Sequence, residues 1–167
     1  MKNFLLAIAL VLGAGSLMAQ SKVAHVNSQT LLDTLPSRKV AIVKLQEFET
    51  NGVKELQEME ADFNAAVAKY QAGAADMSPV IVKIEEEKLM KKQQALQERE
   101  QSLNAEMQAY SEELNTPILG MVQKAVKVVS ERMKINYVID ESVTLYFAGG
   151  LDITDEVIVE LLKMDKQ

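Results

Sequence analysis

The sequence predicts an α+β protein: a small body of strands and helices, with a long antiparallel coiled-coil helical hairpin, the arm, inserted after the first strand. Short β-branched runs near both ends of the chain predict the strands. Between them lie two long stretches whose apolar residues recur with the helical period, separated by a break that contains Gly and Pro. We expect the body to comprise residues 20–36 and 117–167, and the arm residues 37–116.

The first residues predict a secretory signal peptide and therefore a protein that is exported across a membrane. Lys2 precedes the apolar run Phe4–Leu12, and small residues follow up to Ala19, after which we expect cleavage. The run is shorter than the roughly 20 residues that span a bilayer, so an uncleaved anchor is the less favoured alternative. Because the chain has no Cys, a lipid-anchored lipoprotein is excluded. We expect no transmembrane segment in residues 20–167.

The composition excludes several classes of protein. Without Cys, neither disulfides nor thiolate metal sites hold the fold together. The formal net charge is −6, and it becomes −7 once the single lysine of the signal peptide is removed, which argues against binding to nucleic acid. There is no Trp, and only 5% of the residues are aromatic, so one compact core is not expected to hold the whole chain. Oligomerisation is the simplest remaining source of stability.

The first arm helix is predicted from Lys39 to about Gln71. Its apolar stripe is interrupted by Gly52, which costs about 1 kcal/mol against Ala. We expect Gly73 to end the helix, and Ser78 with Pro79 to begin the next one. The residues of the stripe are Leu45, Phe48, Leu56, Met59, Phe63, Val67 and Tyr70.

The second arm helix has a heptad repeat in which only one of two core positions is filled. The filled position holds Val82, Leu89, Leu96, Leu103 and Tyr110. The companion position, four residues on, holds Glu86, Gln93 and Glu100, and then the apolar Met107 and Leu114. We therefore expect a flexible outer arm. Since each helix of about 35 residues would extend about 50 Å, the arm is expected to project from the body.

The predicted body has four elements: the strand Lys22–Asn27, the helix Ile118–Met133, an antiparallel hairpin Tyr137–Phe147 and a terminal helix that ends near Met164. Pro117 is expected to bend or restart the helix. Gly149 and Gly150 predict a turn, and either Asp152 or Thr154 is expected to cap the last helix. A lone hairpin is at best marginally stable, and its exposed edges favour pairing with another chain.

No residue pattern indicates a catalytic, cofactor or metal site, so we do not expect an enzyme. His25 is the only histidine, and no acidic companion lies at a suitable spacing. A satisfied strand residue is the favoured interpretation of His25, and a pH-sensing role in the body is the alternative. Glu85–Glu87 and the nearby lysines predict a solvated helix face with a Glu87–Lys91 pair. Gly149 and Gly150 lack the spacing of a phosphate-binding loop.

The two ends of the chain resemble the Skp/OmpH family of periplasmic chaperones for outer-membrane proteins. "KVAHVN" is similar to the first strand of that family, and "YVIDESVTLYFAGGLDITDEVIVELLK" is similar to its closing strands and helix. The resemblance implies a homotrimer in which strands of three subunits form a barrel-like core. It also implies that three arms surround a cavity, which holds unfolded outer-membrane proteins without ATP. The body residues expected in this oligomer are Val23, Val26, Val138, Val143, Leu145 and Phe147.

The charge of the arm departs from that family. Its best-known members are basic, whereas residues 38–116 of this chain hold 10 basic and 15 acidic residues. We therefore expect clients to be captured mainly by apolar contacts, and no strong attraction to lipopolysaccharide. Most Met residues of the helices are expected in ordinary packing. Met77 at the arm tip and Met90 off the heptad positions are expected to contact clients, because Met suits a promiscuous apolar surface.

The leading functional hypothesis is an ATP-independent periplasmic holdase that binds unfolded outer-membrane proteins and prevents their aggregation. The alternative is a periplasmic coiled-coil structural or adaptor protein that binds one folded partner. A spacer of that kind favours complete heptads, and here the companion position is mostly polar. Proximity to the membrane is expected to be peripheral only.

Overall fold

The computed structural model describes residues 21–166. Its strands are β1 (Val23–Val26), β2 (Tyr137–Asp140) and β3 (Leu151–Asp152), and its helices are α1 (Ser28–Thr34), α2 (Pro36–Gly73), α3 (Pro79–Met133) and α4 (Thr154–Met164). The predicted signal peptide, residues 1–19, and its cleavage site after Ala19 lie outside the described residues. Within residues 21–166, no helix combines the length and the apolar character that crossing a membrane requires.

The chain divides into two compact units. Residues 36–119, the helical unit, contain α2 and most of α3. The body unit contains the described residues up to Leu35 together with those from Gly120 onward, including all three strands. The predicted α+β class, with two long helices forming a hairpin inserted after the first strand, is confirmed.

The body unit contains a parallel three-stranded sheet with β1 in the centre. Val23 of β1 lies opposite Tyr137 of β2, and Ala24 lies opposite Leu151 of β3. The antiparallel hairpin predicted over residues 137–147 is therefore wrong. The strand ends at Asp140, whose side chain accepts a hydrogen bond from the N–H of Ser142 at 3.1 Å and starts a short 3₁₀ turn. Because β1 lies between β2 and β3, the latter two strands are the edges of the sheet.

The core of the body unit is formed mainly by its helices. α1 packs against α4, and the sequence did not predict α1 because seven residues are too few for a periodic pattern. The second half of α3 contributes Ala125 and Val129, which lie on the apolar stripe predicted for residues 118–133. The fully buried large side chains are Leu31, Leu35, Val129, Ile153, Val157 and Leu161. Complete burial of one such side chain stabilises the folded state by about 1.5–3 kcal/mol.

The helical unit buries the predicted stripe only partly. Every apolar stripe residue of α2 is half-buried, and Gly52 is buried. Ion pairs across the hairpin show how α2 and α3 are aligned: Arg99 pairs with Glu55 at 2.9 Å, and Lys92 pairs with Asp62. Such exposed pairs contribute little stability each. The expected Glu87–Lys91 pair is not among the ion pairs of the described residues, where Lys88 pairs with Glu85 at 2.6 Å instead.

Two features of α3 were predicted from the sequence: a half-filled heptad repeat, and a bend or restart at Pro117. The companion heptad residues Glu86, Gln93 and Glu100 are exposed, as expected for a half-filled coiled coil. The helix runs through Pro117 without restarting, although Pro has no N–H to donate to the preceding turn. Next to it, the side chains of Asn115 and Thr116 donate to the carbonyls four residues earlier, each at 2.7 Å.

Gly52 allows a close approach between the two helices. A Cβ at this position would lie 2.3 Å from Cδ1 of Leu103, which is buried on the facing helix. Gly120, a glycine in α3, has nothing within 4 Å of the corresponding position. The glycine that interrupts the stripe is therefore a packing requirement rather than a defect.

Alanine substitution of Gly52 and of Gly120 is expected to change stability in opposite directions. Gly52→Ala should lower the free energy of unfolding by about 1–3 kcal/mol, because the new methyl group overpacks against Leu103. Gly120→Ala should raise it by up to about 1 kcal/mol, because Ala favours the helix and meets no neighbour. Urea unfolding of both variants measures the difference. Stabilisation by both changes would show that Leu103 moves aside without cost.

Candidate functional site

Asn27 follows β1 and joins several segments of the body unit. Its side-chain oxygen accepts a hydrogen bond from the N–H of Thr30 at 2.9 Å and caps α1. Its side-chain nitrogen donates to Oε2 of Glu141 at 2.9 Å. Its backbone N–H donates to the hydroxyl of Thr154 at 3.0 Å. Asn27 therefore ties the end of β1 to α1, to the turn after β2 and to the start of α4.

Asp152 is held by the first residue of α4. The hydroxyl and the N–H of Thr154 donate to its Oδ1 at 2.6 and 2.9 Å. These hydrogen bonds lower the pKa of Asp152, so the carboxylate stays charged at neutral pH. Neither predicted cap is the N-cap of α4: Ile153 lies there without a side-chain hydrogen bond, and Thr154 is the first helical residue. Asp152 lies one residue earlier and accepts the N–H of Thr154, a donor that has no partner within the helix.

His25 lies beside the carboxylates of Glu141 and Asp152. Its Nδ1 is 2.7 Å from Oε1 of Glu141, and its ring centroid is 5.3 Å from that of Phe147. One ligand-type atom each from His25, Glu141 and Asp152 lies within 4.8 Å of the others. From the sequence, no acidic companion is expected for His25. Glu141 lies 116 residues away along the chain, and only the parallel pairing of β1 with β2 brings the two side chains together.

The predicted turn at Gly149 and Gly150 is present and passes close to His25. Both glycines have a positive φ, 80° and 122°, a backbone conformation that residues with a side chain rarely adopt. A Cβ on Gly150 would lie 3.1 Å from the His25 ring. The two glycines therefore serve a tight turn over the imidazole.

The connection between β2 and β3 exposes a run of apolar side chains, which we call the exposed segment (residues 143–147). Leu145 is fully exposed, and Tyr146 is 81% exposed. The run also contains Val143 and Phe147, both exposed. Exposed apolar runs are a type of surface on which protein chains can associate.

The six residues predicted for oligomer contact differ in their exposure. Val23 and three residues of the exposed segment, Val143, Leu145 and Phe147, are exposed. Val138 is half-buried in β2. Val26 is 5% exposed and lies in the core of its own chain, so it is not free to contact another copy.

The helical unit exposes apolar residues where it turns from α2 to α3. Met90, predicted to contact clients, is 60% exposed. Met77 is half-buried, with its methyl group close to Gly73. Three further apolar residues, which were not predicted from the sequence, are exposed in the first turns of α3: Val80, Ile81 and Ile84. Apolar residues outside the heptad core positions were the signal that would have found them. We call Val80, Ile81, Ile84 and Met90 the tip surface.

Nearer the other end of the helical unit, α2 and α3 form an open groove. Leu45 of α2 and Met107 of α3 lie on its walls, together with Leu119 and several polar side chains. Beside it, hydrogen bonds from Ser102 and Arg99 lower the pKa of Glu106. The helical unit thus combines charged flanks with small, separate apolar surfaces.

Comparisons with known proteins agree with this architecture. A family model described as "Outer membrane protein (OmpH-like)" matches residues 22–161. The "Chaperone protein Skp" of Photorhabdus laumondii is 28% identical over 159 residues, which cover 95% of this chain and 94% of that protein. The "Chaperone protein Skp" of Escherichia coli K12 is 30% identical over 164 residues, covering 96% and 99%.

A solved structure shows the same fold. An OmpH-like protein from Caulobacter crescentus matches with a TM-score of 0.75 at 16% identity, over 87% of this chain and 86% of that one. The fold and its exposed surfaces define a class: helical-hairpin proteins built on a small strand-containing body. Within that class, the chain belongs to the OmpH-like family.

Proposed function

We propose that the protein is an ATP-independent holdase chaperone of the periplasm. It binds unfolded outer-membrane proteins and prevents their aggregation on the way to the outer membrane. The relatives named as Skp chaperones match nearly the whole chain. The observation that carries the proposal is the set of separate, exposed apolar surfaces on a charged helical hairpin.

The tip surface suits weak, reversible capture of an unfolded chain. Val80 and Ile84 lie four residues apart, on one face of α3. The β-branched side chains of the tip surface offer apolar area without directional bonds, and the unbranched, flexible Met90 adapts to different client sequences. The excess of acidic residues on the helical unit keeps the free chaperone soluble. Capture therefore rests on apolar contact rather than on charge.

The body unit is proposed to assemble into a homotrimer. The exposed segment and the free edges of β2 and β3 support self-association, since water-exposed apolar runs and strand edges are stabilised by pairing with another chain. Residues 1–19 are proposed to direct secretion and then to be removed. In this proposal the body unit assembles and the helical unit binds clients, and neither performs catalysis.

Removing apolar side chains from the tip surface is expected to weaken client binding. Val80→Ser combined with Ile84→Ser should lower the affinity for an unfolded porin by about tenfold, because two exposed contacts of about 0.7 kcal/mol each are lost. Raising NaCl from about 50 to 500 mM should change the affinity less than about threefold. Fluorescence anisotropy with labelled porin measures both effects.

A matched control is Val128→Ser combined with Val159→Ser, which removes two exposed valines from the body unit. This control should bind the porin as the unchanged chain does. The result would instead assign binding to basic clusters, such as the one around Lys88, if the affinity fell steeply with salt and the substitutions in the tip surface left it unchanged.

A further inference from the structure

We propose that His25, Glu141 and Asp152 form a binding site for a divalent cation of the Zn²⁺ type. These three side chains come from β1, from the turn after β2 and from β3. One imidazole nitrogen and two carboxylate oxygens converge within 4.8 Å. Imidazole together with carboxylates is a donor set that suits Zn²⁺.

Both proposed carboxylate ligands are oriented by a neighbour outside the set. Glu141 receives a hydrogen bond from the amide nitrogen of Asn27 at 2.9 Å. Asp152 is held through Oδ1 by Thr154, which leaves Oδ2 without a hydrogen bond among the described residues. Partners of this kind orient metal ligands and raise their affinity for the ion. The free oxygen of Asp152 is the atom available to a cation.

The charge of the cluster also favours a cation. Two carboxylates face one imidazole, and neither carboxylate pairs with Lys or Arg among the ion pairs of residues 21–166. The site borders a cleft of about 200 Å³ lined by His25, Glu141, Phe147 and the two glycines of the turn. A bound ion would complete a four-coordinate site with one water from this cleft.

The change of geometry required for binding is small. Ligand atoms of a tetrahedral Zn²⁺ site lie about 3.4 Å apart. Glu141 begins the 3₁₀ turn after β2, and Asp152 ends the exposed strand β3, so small rotations of the two carboxylates would bring the ligand atoms from within 4.8 Å of one another to this spacing. The bound ion would then link β1 to the turn after β2 and to β3. The exposed segment lies between these two points of the chain.

Titration of the metal-free, tag-free chain with Zn²⁺ tests the site. Because His25 is the only histidine, its imidazole NMR signals report directly on binding. We expect these signals to shift and to saturate at one Zn²⁺ per chain, and isothermal titration calorimetry to give the same stoichiometry. Excess Mg²⁺ should not compete, because it prefers an all-oxygen, octahedral set of ligands. The melting temperature should rise when Zn²⁺ is added and fall back to its initial value when EDTA removes the ion.

Three variants distinguish this site from weak binding to surface carboxylates. His25→Gln and Asp152→Asn should each lower Zn²⁺ affinity at least about tenfold. Both retain hydrogen-bonding groups that support the fold, and circular dichroism checks it. Asp155→Asn, which removes an exposed carboxylate on the first turn of α4, should leave the affinity unchanged. Equal affinity in all variants, or His25 signals that stay fixed through the titration, would overturn the proposal.

Discussion

Leu145→Asp is expected to convert the assembled protein into folded monomers. In the single chain this side chain is 106% exposed, so a charge there costs the protomer almost nothing. In an apolar core shared between copies, the same charge would be desolvated without a partner, which costs several kcal/mol for each subunit. The change therefore acts on assembly and leaves the fold of the protomer intact.

Light scattering coupled to size exclusion measures the mass, and circular dichroism verifies the helix content. Val80→Asp is the matched control, because Val80 is also strongly exposed but belongs to the helical unit. It should leave the mass unchanged. A folded monomer for the unmutated chain at micromolar concentration, or an unchanged mass for Leu145→Asp, would contradict the role of the exposed segment in assembly.

Replacing Val53–Gln101 with a short Gly-Ser turn is expected to abolish holdase activity while the oligomer persists. Gly52 contacts Leu103, and Glu55 pairs with Arg99, so the two ends of the deletion face each other across the hairpin. The strands, α1 and α4 are untouched. Loss of the tip surface and of most of the half-buried stripe removes the apolar contacts proposed for clients.

Aggregation of a diluted, unfolded porin, followed by light scattering, measures the activity. A second variant that lacks residues 53–59 and 95–101 keeps the tip surface, including Met90, and shortens each helix by one heptad, because these two segments face each other across the hairpin. If the tip surface alone captures clients, this variant should retain affinity for the porin. Undiminished protection by the Gly-Ser variant would move client binding to the body unit.

The helices could be predicted from sequence because their signals are local and long. The stripe from Leu45 to Tyr70 repeats over many turns, and Gly73 with Pro79 marks the break, so α2 and the start of α3 follow directly. Of the bend or restart predicted at Pro117, the restart does not occur, because a single missing hydrogen bond does not end a helix of this length. The role of Gly52 depends on Leu103 of the facing helix, which no local pattern reveals.

The sheet and the polar cluster could not be predicted because they depend on pairing between distant strands. Residues 137–147 have the composition of a hairpin, yet β1 inserts between β2 and β3, and both pair with it in parallel. That pairing places Glu141 and Asp152 beside His25. The polar residues at the ends of short strands, Asn27 and Asp140 among them, were the available signal, since parallel strands end at a common edge.

Native mass spectrometry of the mature chain with an unfolded porin, without ATP, tests the proposed function most directly. We expect a trimer that takes up one porin chain as a discrete complex, and the same porin to remain soluble in a parallel dilution experiment. A trimer that shows no complex with the unfolded porin and leaves its aggregation unchanged, while binding a folded partner, would contradict the holdase function and favour an adaptor.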